Sequence, residues 1–253
     1  TELVEDRPGA VAMHKRSPAE VSRLAAGGAI AETEHATRNT PPAHHIHQYL
    51  HLTAALGANP EPLPPALRVL DEEVSVAMQK FELGLDATWF ALNPGAEYGP
   101  AKRWPGQRFI AAAQEIQRQT GCRWLVLGGK GDVALAGSIA GQLHGSVNLA
   151  GRTSLRELCA VLKLSRVLLT NDTGPMHVGA ALGTPVVALF GSTSPELTGP
   201  GLPGGAQAGI VKGAAPCAPC FLRECPIDFR CMNSITAERV MGTVLELLKT
   251  ARA

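Results

Sequence analysis

No proline occurs between Pro105 and Pro175, although the chain carries 19 in its 253 residues, eight of them before residue 66. Proline removes a backbone donor and clashes with the preceding turn, so repeated regular elements fit best in a proline-free block. From about residue 88 onward, short apolar runs alternate with longer helix-like segments, the pattern of βα units on a parallel sheet. The pattern predicts strands at Trp89–Asn93, Trp124–Leu127, Ser146–Leu149, Arg166–Thr170 and Pro185–Phe190, and admits a sixth at Gly209–Lys212. Helices are predicted over 106–119, 132–142, 154–163, 175–182 and 236–250, the last with Ile235, Val240, Val244, Leu245 and Leu248 approximating one apolar face. The expectation is an α/β fold, and the length allows one to two domains with a sizeable core.

Residues 1–87 read differently. Helices are predicted at Pro42–Leu56 and at Leu70–Leu85, the second placing Val74, Met78, Phe81 and Leu85 at helical spacing. No series of βα units precedes them, so this part reads as an extension or connector. The Pro/Gly-rich stretch 57–65 reads as a hinge-like linker.

Charge and composition narrow the function. Lys plus Arg is 23 and Asp plus Glu is 22, so a formal charge of +1 provides no basic field for nonspecific nucleic-acid binding. Aromatic residues are 4%, too few for the stacking platforms that bind single strands. The longest apolar runs fall far short of the roughly 20 residues of a membrane-spanning helix. The opening Thr1-Glu2-Leu3-Val4-Glu5-Asp6 lacks the basic end and apolar run of a secretory signal. The expectation is a cytoplasmic protein with small-molecule chemistry and no nucleic-acid partner.

Ligands of open parallel sheets bind beyond the carboxyl ends of the strands, and two of those loops stand out. After Val167–Thr170 comes Asn171-Asp172-Thr173-Gly174-Pro175-Met176-His177, then a helix rich in alanine and glycine. Pro175 suits the first helical turn, Thr173 or Gly174 can cap, and the unpaired N–H groups at the helix start favour phosphate. Small Gly179, Ala180 and Ala181 would let this helix sit close to the sheet. The plain alternative is a capped helix with Asp172 and His177 solvated. After Phe90–Asn93 comes Pro94-Gly95-Ala96-Glu97-Tyr98-Gly99-Pro100-Ala101-Lys102-Arg103-Trp104-Pro105. Its glycines permit close backbone approach, and Lys102 and Arg103 offer charge to a diphosphate, or else form a solvated loop.

Together the two loops resemble those of the lipopolysaccharide heptosyltransferases of glycosyltransferase family 9, most closely the heptosyltransferase II branch. The resemblance extends through Leu189-Phe190-Gly191-Ser192-Thr193 and the cysteine segment ending at Cys231-Met232, covering roughly residues 88–250, while 42–57 are only loosely similar. It implies a Rossmann-like parallel sheet, the C-terminal donor-binding half of a GT-B glycosyltransferase, over 88–253. Residues 1–87 would be a helical extension and the remnant of an N-terminal acceptor domain. It further implies inverting transfer of heptose from ADP-L-glycero-D-manno-heptose to the lipopolysaccharide inner core, with no metal and no cofactor. Peripheral contact with the inner membrane is left open.

By the same motifs, Lys102 would stabilise the departing diphosphate and Asp172 would contact the heptose. Thr173, Gly174 and His177 would hold the phosphates, with Ala96, Glu97 and Met176 also at the donor. Asp132 and Thr153 would flank the ribose and adenine. The family's general base is an aspartate of a Gly-Asp motif near the start of the N-terminal domain. Here the one Gly-Asp pair is Gly131-Asp132, within the donor half. That departure reads as a chain lacking most of the acceptor domain. Rivals are a noncatalytic ADP-sugar-binding module and another enzyme of the same layout, such as a sugar-nucleotide epimerase.

Two clusters remain. Cys217, Cys220, Cys225 and Cys231 have a spacing loosely compatible with four thiolates around Zn²⁺, the alternative being reduced thiols that order a loop. Arg223, in the same segment, could add charge on the acceptor side. His44, His45, His47 and His51 fall on a predicted helix, where His47 and His51 have the i, i+4 spacing of a chelating pair or of a solvated face.

Overall fold

The computed structural model describes residues 15–28, 44–200, 202 and 205–250. Pro42 and Ala43, at the start of one predicted helix, lie outside them, as do the opening residues. The elements are α1 (Pro18–Ala25), α2 (His45–Ala54), α3 (Asp71–Lys80), β1 (Trp89–Asn93), α4 (Gly106–Thr120), β2 (Arg123–Val126), α5 (Val133–Ala140), β3 (Val147–Asn148), α6 (Leu155–Leu164), β4 (Leu168–Asn171), α7 (Gly174–Ala181), β5 (Val186–Phe190), α8 (Pro195–Thr198), β6 (Ala208–Lys212), α9 (Arg230–Asn233) and α10 (Ala237–Thr250). Every strand predicted from the pattern is present, the optional sixth included.

The six strands form one parallel sheet in the order β3-β2-β1-β4-β5-β6, the doubly wound order of dinucleotide-binding folds. Both faces of such a sheet are covered, which is why β1 and β5 are unbroken buried runs. Alternate residues of each strand feed two cores. Phe90, Leu92, Trp124, Val126, Val187 and Leu189 pack with Phe109 and Ile116 of α4, Ile139 of α5 and Val240 and Val244 of α10. On the other face, Trp89, Ala91, Leu125, Leu168, Val186 and Ala188 pack with Ala77, Phe81, Val161, Leu162 and Met176. Residues 69–83 therefore share the core of the sheet, while 58–70 carry no regular structure.

The helix predicted to run to Leu85 stops at Lys80. Glu82 takes a left-handed φ of 55°, Leu83 N–H bonds Met78 O (2.9 Å) and Glu82 N–H bonds Gln79 O (3.3 Å), the paired bonds of a Schellman end. Val74, Met78 and Phe81 face the core as expected, but Leu85 is thrown off the helix and is 92% exposed. Conversely, α1 has no counterpart among the predicted helices. Its capping box is explicit: Glu20 N–H bonds Ser17 Oγ (3.3 Å) and Ser17 N–H bonds Glu20 Oε2 (2.6 Å).

Gly179 lets α7 lie close on the sheet, as expected from its small residues. A Cβ there would sit 2.9 Å from Leu168 Cδ2 and 3.4 Å from Val186 Cγ2. Gly179→Val should cost about 1–3 kcal/mol by overpacking. Gly179→Ala should be near neutral, because Leu168 Cδ2 is the free end of a side chain and alanine gains about 1 kcal/mol of helix preference. Urea unfolding midpoints of the two variants check this.

Candidate active site

The strand order reverses between β1 and β4, so the helices that follow these two strands leave on opposite faces and open a crevice at their carboxyl ends. Asn171, the last residue of β4 and fully buried, fastens the loop that leaves β1. Its Nδ2 donates to Pro94 O (2.8 Å) and Gly95 O (3.3 Å), and its Oδ1 accepts from Trp104 N–H (3.1 Å). One amide thus ties both ends of loop 94–105 to the neighbouring strand. Farther along, Ala101 N–H bonds Arg223 O (3.0 Å), and a Cβ on Gly99 would lie 2.4 Å from that same oxygen. Only glycine permits this approach.

A 3₁₀ turn over Pro100–Lys102 directs Lys102 inward, where Nζ donates to Asp172 Oδ2 at 2.6 Å. Lys102 is not on an open loop: its side chain is 15% exposed and that of Asp172 is 5% exposed. Thr193 Oγ1 donates to the same Asp172 oxygen (2.7 Å). The Lys102 ammonium also lies 5.0 Å from the centroid of the Tyr98 ring, and the Arg223 guanidinium lies 5.5 Å from it. Tyr98 is held in turn by its hydroxyl donating to Phe221 O (2.8 Å) and its carbonyl accepting from Arg223 Nε (2.6 Å).

Beside this pair lies a cleft of about 240 Å³ lined by Gly95, Ala96, Glu97, Asp132, Thr153 and Thr173. Leu155 and Leu158 add an apolar wall. Asp132 braces the cleft: Oδ1 accepts from Arg103 Nη2 (3.2 Å), Oδ2 accepts from Gly129 N–H (3.0 Å), and a Cβ on Gly95 would fall 2.3 Å from Oδ2.

The mouth of α7 offers fewer donors than the sequence pattern implies. Pro175 has none and Met176 N–H already bonds Thr173 O (3.0 Å), which leaves Gly174 as the first-turn residue with no partner further back. Met176 is a correction. Its side chain is fully buried in the core with Leu168 and Val186, because residues 176 and 179 share the sheet-facing side of the helix, so it does not line the cleft. His177 stands at the rim. Desolvation by its surroundings holds its pKa below the ordinary 6.5, with the Asp172 carboxylate pulling upward and His44 and Lys102 adding to the depression.

The other two clusters make packing and capping contacts. Among the described residues, no three of His, Cys, Asp and Glu are placed to hold a metal. Cys217 and Cys220 pack with Val21 of α1 and Leu222, and burial pushes the Cys231 thiol up to about 11. His44 caps α2: its Nδ1 accepts from Ile46 N–H (3.2 Å), so Nε2 carries the proton and donates to Gly199 O (3.1 Å). Sequence reasoning missed Asn171, Tyr98 and Thr193 as parts of the site. The Gly191-Ser192-Thr193 segment was visible as a motif, but not its contact with Asp172.

A doubly wound sheet with a cation and a helix mouth at its switch point defines a nucleotide-type binding fold. The chain belongs to glycosyltransferase family 9 (heptosyltransferase), whose model matches residues 10–229. It is 35% identical over 147 residues to lipopolysaccharide heptosyltransferase 2 of Salmonella typhimurium, covering 56% of this chain and 42% of that protein. It is similar to the structure of E. coli ADP-heptose LPS heptosyltransferase II (TM-score 0.65, 29% identity, 77% of this chain and 57% of that one). It is also similar to a family 9 glycosyl transferase from Veillonella parvula (TM-score 0.68, 25% identity, 82% and 61%). The chain spans about half the length of the curated relatives it matches.

Removing Lys102 leaves the Asp172 carboxylate buried with one partner fewer. Lys102→Ala should therefore lower stability by about 1.5–3 kcal/mol, the range for a hydrogen bond to a charged group. Lys102→Met combined with Asp172→Leu should recover much of that, since the lone charge is then gone. A double-mutant cycle in urea measures the coupling.

Proposed function

We propose that this chain is the donor-binding half of an inverting heptosyltransferase. It would transfer heptose from ADP-L-glycero-D-manno-heptose to the lipopolysaccharide inner core, with residues 88–253 as the donor domain, residues 69–83 packed into its core, and the residues before them connecting to the acceptor side. The observation that carries this reading is the meeting of the Lys102 ammonium and the α7 mouth across one crevice, through Asp172. The relatives named as heptosyltransferase 2 support it.

In this reading the diphosphate lies over Gly174 and beside Lys102. An ammonium has three donor hydrogens, so Lys102 can keep Asp172 and still reach a phosphate oxygen. Thr173 and His177 flank the phosphates, and Asp172 presents its other oxygen to the heptose hydroxyls. The nucleoside extends into the cleft of Ala96, Glu97, Asp132 and Thr153, with Leu155 and Leu158 against the base. Asp132 acts there as a brace as much as a contact, because both its oxygens are already engaged.

The acceptor hydroxyl oxygen attacks the anomeric carbon of the heptose from the face opposite the diphosphate. The bond from that carbon to the β-phosphate oxygen breaks, and ADP departs with the electron pair. Fixed positive charge at that oxygen stabilises the departure without reorganisation. The acceptor's proton requires a base, which the family resemblance assigns to the acceptor domain. Among the described residues no helix is long and apolar enough to cross a membrane, and the lipid-borne acceptor would draw the protein into peripheral contact with the cytoplasmic face of the inner membrane.

Calorimetric titration and a transfer assay test the reading. ADP should bind and UDP should bind at least about tenfold more weakly, with Lys102→Ala costing roughly 10–100-fold in ADP affinity, the loss of one charge-assisted hydrogen bond. Asp172→Asn should weaken ADP-heptose binding and, in a protein that includes the acceptor domain, impair heptose transfer. A preference for UDP would select the epimerase-like rival. His177 supplies a second readout by NMR. In the free protein its ring should titrate below 6.5, so on acidification the unfolded chain takes up the proton first and the stabilisation by its neutral form fades below about 6.5. ADP should raise that midpoint, and an unmoved midpoint would take His177 off the phosphates.

A further inference from the structure

Thr193 lies outside every role given so far, yet it touches the residue assigned to the sugar. Lys102 Nζ and Thr193 Oγ1 both donate to Asp172 Oδ2, at 2.6 and 2.7 Å. Asp172 Oδ1 has no hydrogen-bond partner among the described residues and is not one of the sealed, unpartnered atoms of the interior. The carboxylate is therefore loaded on one oxygen and open on the other.

The two donors differ in rigidity. Lys102 hangs on four methylenes and is shared with the Tyr98 ring and, on the reading above, with a diphosphate. Thr193 is buried, β-branched and stiff at χ1. Its loop is pinned from two sides. Ser192 O accepts from Cys220 N–H (3.1 Å) and Phe221 N–H (2.8 Å), and a Cβ on Gly191 would fall 2.3 Å from Met232 Sδ. The Asp172 backbone is tied to the same strand by its N–H bonding Leu189 O (3.2 Å). With backbone and Oδ2 both fixed, rotation of the carboxylate is restricted, and Oδ1 is left without a protein partner.

We infer that Thr193 is a positioning residue for sugar recognition: its hydroxyl locks the Asp172 carboxylate so that Oδ1 meets a hydroxyl of the transferred sugar. The inference rests on the donor-site reading above. It makes a specific demand, because the lock concerns the sugar and not the nucleotide.

The test compares ADP with ADP-heptose by calorimetry on the purified wild-type protein and on Thr193→Val and Thr193→Ser, with thermal unfolding of each. Valine keeps the shape and removes the hydroxyl, whereas serine keeps the hydroxyl. Thr193→Val should leave ADP affinity within about twofold and weaken ADP-heptose about tenfold, and Thr193→Ser should bind ADP-heptose within about threefold of wild type. Equal losses for both ligands, an unchanged ADP-heptose affinity in Thr193→Val, or a serine variant as weak as the valine one would overturn the positioning role while leaving the donor site standing. A wild-type protein that binds neither ligand would instead remove the donor reading and this inference with it.

Discussion

Everything at the site depends on β1 and β4 being neighbours with their following helices on opposite faces. That arrangement opens the crevice, but it does not by itself bring loop 94–105 across it. The Asn171 amide does so, spending both its oxygen and its nitrogen on the two ends of that loop. A buried amide with its groups satisfied costs little, whereas one left unpaired costs about 1–3 kcal/mol, so the loop and the strand end are mutually dependent. Lys102 meets Asp172 because this clamp holds the ends of the loop while the Arg223 backbone and the Tyr98 ring hold its middle.

The fold was legible because the central strands of a parallel sheet, buried on both faces, write themselves as apolar runs, as β1, β2, β4 and β5 do here. What the pattern misplaced were ends. Arg166 and Val167 look like strand, yet the first ladder pairing of β4 falls at Leu168. The helix before β1 overran because Glu82 occupies the left-handed position that glycine usually marks. Nothing in its side chain announces that conformation. The first helix carries its own signal in the sequence: Ser17-Pro18-Ala19-Glu20 is a capping box with proline inside the first turn.

At the site, residue types were readable but their pairings were not. Lys102 and Asp172 were identified as acting on different parts of one ligand, and they turn out to be partners of each other across 70 positions. A contact of that separation leaves no periodicity. Met176 shows the opposite error. It sits inside a specific motif, but helical phase puts residues 176 and 179 on one side, and Gly179 lies against Leu168 and Val186 of the sheet. The motif marked the segment, and the phase decides which side chains in it can reach a ligand.

The cysteine segment is where chemistry and packing most needed separating. Burial pushes the Cys231 thiol up to about 11, so in the free protein it packs as a small apolar group. Its value lies in where it packs. Cys231 and Met232 back the Gly191 turn, while Cys220 and Phe221 hold the Ser192 carbonyl. Phe221 and Arg223 grip Tyr98 from the other side. One segment thus braces both the loop that carries Lys102 and the loop that carries Thr193. The same spacing of Cys217, Cys220 and Cys231 lets one segment reach both loops.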